Sequence, residues 1–549
     1  MQEMAAQNFF DIPFAERNIA DLVRRAASRF GSATFLRSGD TVISFGAFDK
    51  RVDAVARGLA SLGVSKGVRV GLLMRNSFAF LELVFACAKL GAVYVPLNID
   101  YKGDILCHQL NQSRTHVIVV DAEFSVHVQD VSEKCPVLRF GVVHSGDGLA
   151  LPVSRSLRWL NYENMTAEAG PVNNVEVHPS DIFAINFTSG TTGPSKGVQA
   201  THCHVITFAL DWIATCGFRP DDRLYTPLPM FHAIATWLGV LPSLIMGTEM
   251  AFAERFSASR FWDDVRRYGS TVVHGIFSIV PILLKQPARA DDREVPARLF
   301  YIAQRNAEFE ERFGLRIIEL YGATETGIVT CVPSGEQAPP GSCGRPNEAT
   351  YDVQIVDDDD LPVEAGVTGE IVVRPRLPFS MFAGYDGDPE ATLAAWRNLW
   401  FHTGDNARRD EAGYFYFVDR KKDGIRRRGE NIASFEVEVV LNRHPAVRES
   451  AVIARPSPLG EDDIHAVIVL QPDVILTAQD LWSFCETEMP RFWVPRYIEF
   501  RDSLPKTANQ KVLKYLLRDE AESRFSFDRE QGEQATGPRA GVPMPTEGR

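Results

Sequence analysis

Short apolar segments of strand length alternate with longer amphipathic segments through the first half of this chain, and this alternation constrains the fold most. In residues 46–62, for example, Phe48, Val52 and Leu59 recur at helical spacing, and Gly63 follows as a stop signal. Strands that alternate with helices are typical of α/β proteins whose sheets are mainly parallel. The pattern predicts strands at 68–74, 93–97, 116–120, 182–187, 223–226, 248–252 and 271–274, and helices at 20–31, 46–62, 78–90, 204–215, 232–246 and 259–268.

The pattern changes after about residue 340, where short strands are separated by turns rich in Asp, Pro and Gly. This sequence pattern predicts a small β-rich subdomain, with strands at 353–356, 369–373 and 414–418. The region that follows is predicted to be a compact α+β unit, with strands near 425 and at 447–454 and 464–470, and helices at 434–443, 477–487 and 512–518. The last stretch has little apolar surface to bury and is predicted to be disordered.

Composition excludes several classes of protein. The chain has 549 residues and a formal net charge of −13, so it lacks the general basic surface of a nucleic-acid-binding protein. The N-terminus lacks a signal-peptide pattern, and the longest apolar run, 237–247, is too short to span a bilayer. Eight scattered cysteines without a C-x-x-C pair fit reduced thiols. We therefore predict a cytoplasmic protein with small-molecule partners, no nucleic-acid partner and no membrane span, and we leave a homodimer open.

A loop rich in Gly and hydroxyl side chains joins the strand at 182–187 to a second strand-like segment at 198–200. Glycines let backbone N–H groups approach an anion closely, and Lys196 adds a cation, so the loop is a candidate phosphate site. It is not a Walker A loop, because Ser195 stands where that pattern requires Gly. A hairpin loop without a ligand is the alternative. The candidate phosphate ligands are Thr188, Ser189, Gly190, Thr191, Thr192, Gly193 and Lys196.

This loop and four later motifs resemble the signatures of the adenylate-forming enzymes, the superfamily of acyl-CoA synthetases, luciferases and adenylation domains. In the family's order, the later motifs are YGATET at 321–326, WFHTGD at 400–405, DRKKD at 419–423 and PKTANQK at 505–511. The resemblance covers roughly residues 15–520. It implies an α/β fold with a large N-terminal domain of several subdomains and a small α+β C-terminal domain. The expected boundaries are 1–418, a hinge at 419–423, 424–520 and a disordered tail at 521–549.

The resemblance also implies a reaction in two steps and three ligands: ATP, Mg²⁺ and coenzyme A. A carboxylate attacks the α-phosphate of ATP to give acyl-AMP and pyrophosphate, and the thiol of coenzyme A then displaces AMP. Two alternatives are an enzyme that passes the acyl group to an amine or a carrier protein, and a nucleotide-binding relative without catalysis. No carrier domain is visible, and the intact motif residues count against a non-catalytic relative.

Within YGATET, the resemblance implies that Tyr321 offers an aromatic face to adenine. Thr324 would hydrogen-bond the α-phosphate, and Glu325 would ligate Mg²⁺, a hard cation that prefers oxygen ligands. Taken alone, this motif also fits a turn with a helix N-cap. Further along the chain, Asp405 would accept hydrogen bonds from the ribose hydroxyls, and Arg420 would reach the ribose or the α-phosphate. A surface salt bridge is the alternative for that pair.

The C-terminal motif places Lys511 where family members have a lysine that stabilises charge in the first step. A solvated lysine is the alternative, and Gln510 departs from the family's usual Gly before it. Lys422 matches the hinge position at which the small domain rotates between the two steps. Arg426, Arg428 and Gly429 are candidates for binding coenzyme A, since arginines bind phosphates well. A solvated strand with one inward-facing Arg is equally consistent with the run at 426–428.

The acyl pocket is the part of the site that the motifs define least. The PMFH segment at 229–232 matches the family's gate to this pocket, and the candidates for its wall are His232, Trp237, Phe277 and Ser278. Residues 254–262, 301–309 and 426–431 look most like the crotonobetaine/carnitine–CoA ligase branch. Aromatic faces would suit a quaternary ammonium group, but they would serve an alkyl or aryl acid equally well.

Overall fold

The structure is a computed structural model, and it describes most of the chain. The described residues are 12–144, 151–153, 156–166, 175–188, 195–276, 279–302, 305–333, 335–420, 425–427, 430–432, 434–457, 462–489, 491, 493–506, 512–521, 526–530 and 535–536. In chain order, the helices are α1 (Ile19–Phe30), α2 (Phe45–Ser61), α3 (Phe78–Leu90), α4 (Gly103–Gln112), α5 (Ser125–Ser132), α6 (Tyr162–Thr166), α7 (His202–Cys216), α8 (Ala233–Ala235), α9 (Leu241–Met246), α10 (Phe261–Tyr268), α11 (Ile279–Leu284), α12 (Ala307–Phe313), α13 (Pro389–Ala395), α14 (Ser434–Leu441), α15 (Ala478–Glu488) and α16 (Lys514–Glu520).

The strands, also in chain order, are β1 (Thr34–Ser38), β2 (Thr41–Ser44), β3 (Arg69–Leu73), β4 (Val93–Pro96), β5 (Val117–Asp121), β6 (Phe140–His144), β7 (Arg158–Asn161), β8 (Ile182–Thr188), β9 (Lys196–Thr201), β10 (Arg223–Thr226), β11 (Glu249–Phe252), β12 (Val272–His274), β13 (Leu299–Tyr301), β14 (Arg316–Ile318), β15 (Leu320–Ala323), β16 (Gly327–Cys331), β17 (Arg345–Pro346), β18 (Tyr351–Val356), β19 (Gly369–Pro375), β20 (Gly384–Tyr385), β21 (Phe401–Arg409), β22 (Phe415–Arg420), β23 (Ile425–Arg427), β24 (Glu430–Ile432), β25 (Val447–Pro456), β26 (Asp462–Leu470), β27 (Tyr497–Phe500), β28 (Ser526–Asp528) and β29 (Ala535–Thr536).

Two large sheets form the N-terminal part, as the alternation of strands and helices predicts. One has the order β14-β13-β12-β10-β11-β1-β2 and is parallel except for the β1–β2 hairpin. The other has the order β20-β9-β8-β4-β3-β5-β6-β7, and its antiparallel pairs are β8–β9 and β9–β20. The largest apolar core packs the first helices against both sheets. The prediction of an α/β fold with parallel-type sheets is confirmed.

The later part of the chain builds smaller sheets with cores of their own. Strands β18, β19, β21 and β22 form an antiparallel sheet, which is the predicted β-rich subdomain. The C-terminal α+β unit contains the sheet β25-β26-β27-β28-β29. Its two apolar clusters draw only on residues of that unit, such as Val437, Ile464 and Trp482. The predicted small C-terminal domain is therefore present as a separately packed unit.

One helix predicted from the sequence has an internal irregularity, and one other prediction needs correction. The helix predicted at 232–246 is observed from Ala233 to Met246, as α8 and α9 joined by a π-helical turn at Thr236–Val240. The tail predicted to be disordered from residue 521 contains strand β28, which pairs with β27. Asp528 in this strand accepts hydrogen bonds from Arg496 Nε and Nη2, each at 3.1 Å, and this partner lies far away in the sequence. The tail's own composition therefore could not reveal the strand.

Across the described part of the chain, no helix combines the length and the apolar character needed to cross a membrane.

Candidate active site

The predicted phosphate loop lies at the end of a β-hairpin. Strands β8 and β9 pair antiparallel, with Thr188 opposite Lys196. Helix α4 supports the hairpin from the side, because the fully buried Gln109 donates a 3.1 Å hydrogen bond to Ser195 Oγ. A hairpin and a phosphate loop are therefore compatible interpretations of this segment. The loop residues Ser189, Gly190, Thr191, Thr192 and Gly193 lie outside the described residues.

Tyr385 connects Lys196 of this hairpin to Glu325 of the YGATET motif. Lys196 Nζ lies 4.7 Å from the centroid of the Tyr385 ring, and Tyr385 Oη donates a 3.3 Å hydrogen bond to Glu325 Oε1. Burial of the hydroxyl, together with the neighbouring Glu325 carboxylate, raises the pKa of Tyr385. The phenol therefore keeps its proton at neutral pH and acts as a donor. The backbone N–H of Phe382 also donates to the Glu325 carbonyl at 2.9 Å.

The YGATET segment is a tight turn between β15 and β16. A Cβ atom on Gly322 would lie 2.1 Å from the Gly327 carbonyl oxygen, so the close approach of the two strands requires glycine there. Thr326 Oγ1 accepts a 3.2 Å hydrogen bond from the Ala323 N–H and fixes the turn. Thr324, beside Glu325, is half-buried. The alternative of a helix N-cap is wrong, because strand β16 follows directly.

At the start of the same turn, Tyr321 contacts the second predicted ATP-site carboxylate. Tyr321 Oη donates a 2.7 Å hydrogen bond to Asp405 Oδ2. Burial of this hydroxyl, followed by the charge of Asp405, raises the pKa of Tyr321 well above its usual value. Asp405 is 9% exposed and pairs in register with Arg420 across β21 and β22. Backbone pairing thus brings these two predicted residues together.

The rest of the predicted site is only partly covered by the structure. Nothing is described of the side chains of Arg420 and Arg426, although both lie in strands. Their predicted contacts stay predictions, as do those of the site residues outside the described part, Phe277, Ser278, Lys422, Arg428, Gly429 and Lys511.

In the arginine run at 426–428, the structure describes the side-chain contacts of Arg427. Its side chain is buried, its Nη1 donates a 2.9 Å hydrogen bond to the Val494 carbonyl, and its Nε lies 3.4 Å from Asp463 Oδ1. These contacts hold β23 against the core of the C-terminal unit. Side chains alternate along a strand, so Arg427 is the inward-facing arginine, as one of the two interpretations of this run requires.

The predicted wall of the acyl pocket is described at His232 and Trp237. His232 is half-buried at the start of α8, with its ring centroid 4.4 Å from that of Phe231. Trp237 lies in the π-helical turn and is 1% exposed, and its Nε1 donates a 2.6 Å hydrogen bond to Tyr94 Oη. His204 contacts the Trp237 ring edge to face, with centroids 5.9 Å apart. Such π-helical turns occur frequently at functional sites.

A bound Mg²⁺ fits this arrangement through Glu325. Mg²⁺ usually keeps several waters and is held by one or two carboxylates together with the phosphates of its nucleotide. A cluster of three acidic, His or Cys ligands is not required, and none occurs within the described ranges. Glu325 faces the same tyrosine as Lys196, so a triphosphate bound by the hairpin would come close to this carboxylate.

Two residues of the site were missed by the sequence analysis. Tyr385 sits in the short strand β20, and Phe417 stacks on Tyr321 with centroids 6.2 Å apart. The only signal for Tyr385 was an aromatic residue between Gly384 and an Asp-Gly turn, and many surface strands share that pattern. The signal for Phe417 was weaker still, since it lies in an ordinary alternating strand.

Comparisons with known proteins identify the family of the chain. The sequence model of the AMP-binding enzyme family matches residues 23–386, and that of the AMP-binding enzyme C-terminal domain matches residues 436–511. The chain is 33% identical over 486 residues to the crotonobetaine/carnitine–CoA ligase of Salmonella typhimurium, covering 86% of this chain and 93% of the relative. The corresponding ligase of Salmonella enteritidis is 32% identical over the same length, with the same coverage of both chains.

Solved structures give the same result. The anthranilate CoA ligase AuaEII in complex with anthranoyl-AMP superposes with a TM-score of 0.82 at 27% identity, over 93% of this chain and 98% of that chain. ATP-bound MatB from Rhodopseudomonas palustris superposes with a TM-score of 0.79 at 25% identity, over 91% and 98% of the two chains. The fold is thus that of an adenylate-forming enzyme. The chain belongs to the AMP-binding enzyme family, and the predicted class, an AMP-forming acyl-CoA ligase acting on a small carboxylic acid, is confirmed.

Proposed function

We propose that the nucleotide site of this ligase is built around the YGATET turn. One observation carries the proposal: the two ends of this turn contact the other predicted ATP-site residues. At one end, Glu325 is linked through Tyr385 to Lys196, and at the other Tyr321 is hydrogen-bonded to Asp405. The site therefore joins three elements that are distant in the sequence and that supply a cation, a metal-binding carboxylate and a ribose-binding carboxylate.

Each of these groups has a role that its chemistry supports. Lys196 and the loop at 188–193 bind the β- and γ-phosphates, Thr324 donates to the α-phosphate, and Glu325 binds Mg²⁺. The metal neutralises charge on the phosphate oxygens when it is bound. Asp405 accepts hydrogen bonds from the ribose hydroxyls. In such transfers the protein mainly positions the reactants and stabilises spread-out charge.

The ribose side of the site and the second step depend on two more groups of residues. Arg420 lies opposite Asp405 in the strand pair and reaches the ribose or the α-phosphate from there. Arg426, Arg428 and Gly429 bind coenzyme A. Arg427 is taken up by Asp463 and the Val494 carbonyl, which leaves Arg426 and Arg428 as the arginines of this run proposed for coenzyme A, and a solvated strand stays the alternative.

The two steps are proposed to use two orientations of the small domain. We place the large domain at residues 1–418, the hinge with Lys422 at 419–423, and the small domain at 424–520 together with strands β28 and β29. The small domain packs its own core, which supports movement as a unit. Lys511 then reaches the carboxylate and the α-phosphate in one orientation only.

For the acid itself, we propose a small betaine-type carboxylic acid bound beside His232 and Trp237. The support is the 33% identity to crotonobetaine/carnitine–CoA ligases over 93% of their length. An aromatic wall suits a quaternary ammonium group. An aromatic acid is the second candidate, because a structural relative at 27% identity is an anthranilate CoA ligase.

We also propose a cytoplasmic location and small-molecule partners without nucleic acid. All eight cysteines are free, as expected in a reducing compartment, and the net charge of −13 disfavours a polyanionic partner.

The experiment that tests this function is a panel of acids assayed for pyrophosphate release, with and without coenzyme A. The panel contains betaine-type, alkyl, dicarboxylic and aromatic acids of similar size. We expect turnover with a betaine-type acid and a coenzyme A-dependent thioester product. Turnover with an aromatic acid alone would replace the proposed substrate class. The variant Glu325→Gln serves as the control for each active acid, and its activity should be lost if pyrophosphate release comes from this site.

A further inference from the structure

Backbone pairing and hydrogen bonds hold Tyr385 beside the phosphate hairpin. Strand β20 pairs antiparallel with β9, which places Tyr385 opposite Val198. The Tyr385 N–H donates a 2.9 Å hydrogen bond to Thr392 Oγ1 of helix α13. The next residue, Asp386, donates from its N–H to the Gly197 carbonyl at 2.7 Å. These contacts fix the backbone of Tyr385 beside strand β9.

The side chain of Tyr385 makes two contacts of different kinds. Its ring face receives the ammonium group of Lys196 at 4.7 Å from the centroid, and its hydroxyl donates to Glu325 Oε1 at 3.3 Å. A ring face attracts a cation, and a phenol is a good donor to a carboxylate. One side chain therefore orients a positive and a negative group that come from different elements.

We infer that Tyr385 is a positioning residue that prepares Lys196 and Glu325 for Mg²⁺ and ATP. The inference rests on the proposed function, in which these two residues bind the phosphates and the metal. A ligand carboxylate is held in place by the groups that hydrogen-bond to it, and loss of such a group typically weakens metal binding by about 10–100-fold. The hydroxyl of Tyr385 serves the metal side of the site, and its ring serves the phosphate side.

These two contacts can be separated by mutation. Tyr385→Phe removes one oxygen atom and keeps the ring beneath Lys196. We expect the Mg²⁺ concentration needed for half-maximal ATP binding to rise about tenfold, while pyrophosphate binding without Mg²⁺ stays unchanged. Tyr385→Leu removes both contacts, and we expect it to weaken pyrophosphate binding as well. Both affinities are measured by isothermal titration calorimetry on the full chain, so the readout does not depend on turnover.

A matched control is available at the half-buried Tyr416. Tyr416 Oη donates a 2.9 Å hydrogen bond to Asp410 Oδ2 near the turn between β21 and β22. Tyr416→Phe removes the same kind of hydrogen bond and should leave both affinities unchanged. Thermal unfolding of each variant shows whether it folds. If Tyr385→Leu does not fold, Tyr385→Phe carries the test alone, since it changes only one atom.

The double variant Tyr385→Phe with Glu325→Gln decides whether the tyrosine acts through the glutamate. If it does, adding Tyr385→Phe to Glu325→Gln should not change the Mg²⁺ dependence further. Two outcomes would overturn the inference. One is that the effects of the two substitutions on the Mg²⁺ dependence are independent. The other is that Tyr385→Phe keeps the wild-type Mg²⁺ dependence while Glu325→Gln changes it. Should Glu325→Gln itself leave the Mg²⁺ dependence intact, the assignment of Glu325 as metal ligand fails instead.

Discussion

The hydroxyl of Tyr321 donates a 2.7 Å hydrogen bond to Asp405 Oδ2, although the two residues belong to different sheets. The Asp405 N–H in turn donates to Thr403 Oγ1 at 3.2 Å, so the backbone of this aspartate is also anchored. Hydrogen bonds therefore hold both the side chain and the backbone of Asp405. In the proposed function, a carboxylate oriented in this way loses less conformational freedom when it accepts hydrogen bonds from a ribose.

Removing the tyrosine hydroxyl should weaken ATP binding without abolishing the reaction. Tyr321→Phe keeps the aromatic ring and loses one hydrogen bond to a charged group, worth about 1.5–3 kcal/mol. We expect the KM for ATP to rise about tenfold or more, with kcat nearly unchanged, in an ATP–pyrophosphate exchange assay. The control is Tyr414→Phe, which changes a tyrosine that takes no part in the Tyr321–Asp405 hydrogen bond. An unchanged KM for ATP would mean that the Tyr321–Asp405 contact does not serve the nucleotide.

We predict that Arg427 supports the stability of the C-terminal unit, whereas Arg426 and Arg428 support the binding of coenzyme A. Arg427→Ala removes the buried hydrogen bond to the Val494 carbonyl and one of the two arginines beside Asp463, which keeps Arg496 as a partner. Loss of a buried hydrogen-bond partner typically costs about 1–3 kcal/mol, so the melting temperature of the C-terminal unit should fall.

Replacing Arg426 and Arg428 together by Ala should instead raise the KM for coenzyme A and leave adenylation nearly intact. Unfolding followed by circular dichroism and kinetics of the two half-reactions separate these effects. The interpretation is wrong if the double variant loses stability and adenylation together.

Much of the fold could be predicted from the sequence, because hydrophobic periodicity is a local signal. Helix α3, for example, is predicted at 78–90 and observed at Phe78–Leu90. Contacts between distant residues have no such signal. Strand β28 pairs with β27 and contacts Arg496 through Asp528, and Tyr385 is positioned by the pairing of β20 with β9. The motifs identify Glu325 and Lys196 individually, but only the structure shows that one tyrosine joins them.

Buried imidazoles should make this protein sensitive to mild acid. Burial lowers the pKa of His204 to about 3. In the unfolded chain a histidine has a pKa of about 6.5. Between these two pKa values, the unfolded state therefore binds a proton and the folded state does not. Stability is therefore lost as the pH falls from about 6.5 towards 3. At pH 5, the protonation of this histidine in the unfolded chain alone lowers the free energy of unfolding by about 2 kcal/mol.

The variant His204→Gln removes this titration. Its melting temperature should fall less between pH 7.5 and pH 5 than that of the wild type, even if it is lower at pH 7.5. His274 and His202, whose pKa values burial also lowers to about 3, keep part of the acid sensitivity. His108→Gln, at an exposed position, is the control for the substitution itself. Parallel curves for His204→Gln and the wild type would contradict the assignment.

The two half-reactions should respond differently to loss of Lys511, which lies outside the described residues. The proposed orientation for adenylation brings its ammonium group to the oxygens where charge rearranges. Loss of one such contact typically costs about 10²–10³ in rate. The second step uses the other orientation, in which this lysine has moved away. Lys511→Ala should therefore form acyl-AMP very slowly and still convert supplied acyl-AMP and coenzyme A at close to the wild-type rate.

A matched control for this prediction is Lys506→Ala in the same motif. Lys506 forms an ion pair with Glu449 inside the C-terminal unit, so its replacement should affect stability more than either half-reaction. If Lys511→Ala loses both half-reactions while remaining folded, the two-orientation proposal fails. If it loses neither and Lys506→Ala or Lys514→Ala loses adenylation, the role belongs to that neighbouring lysine. In that second case we would attribute the change of lysine to Gln510, because a residue other than Gly before the lysine restricts the backbone conformations of that loop.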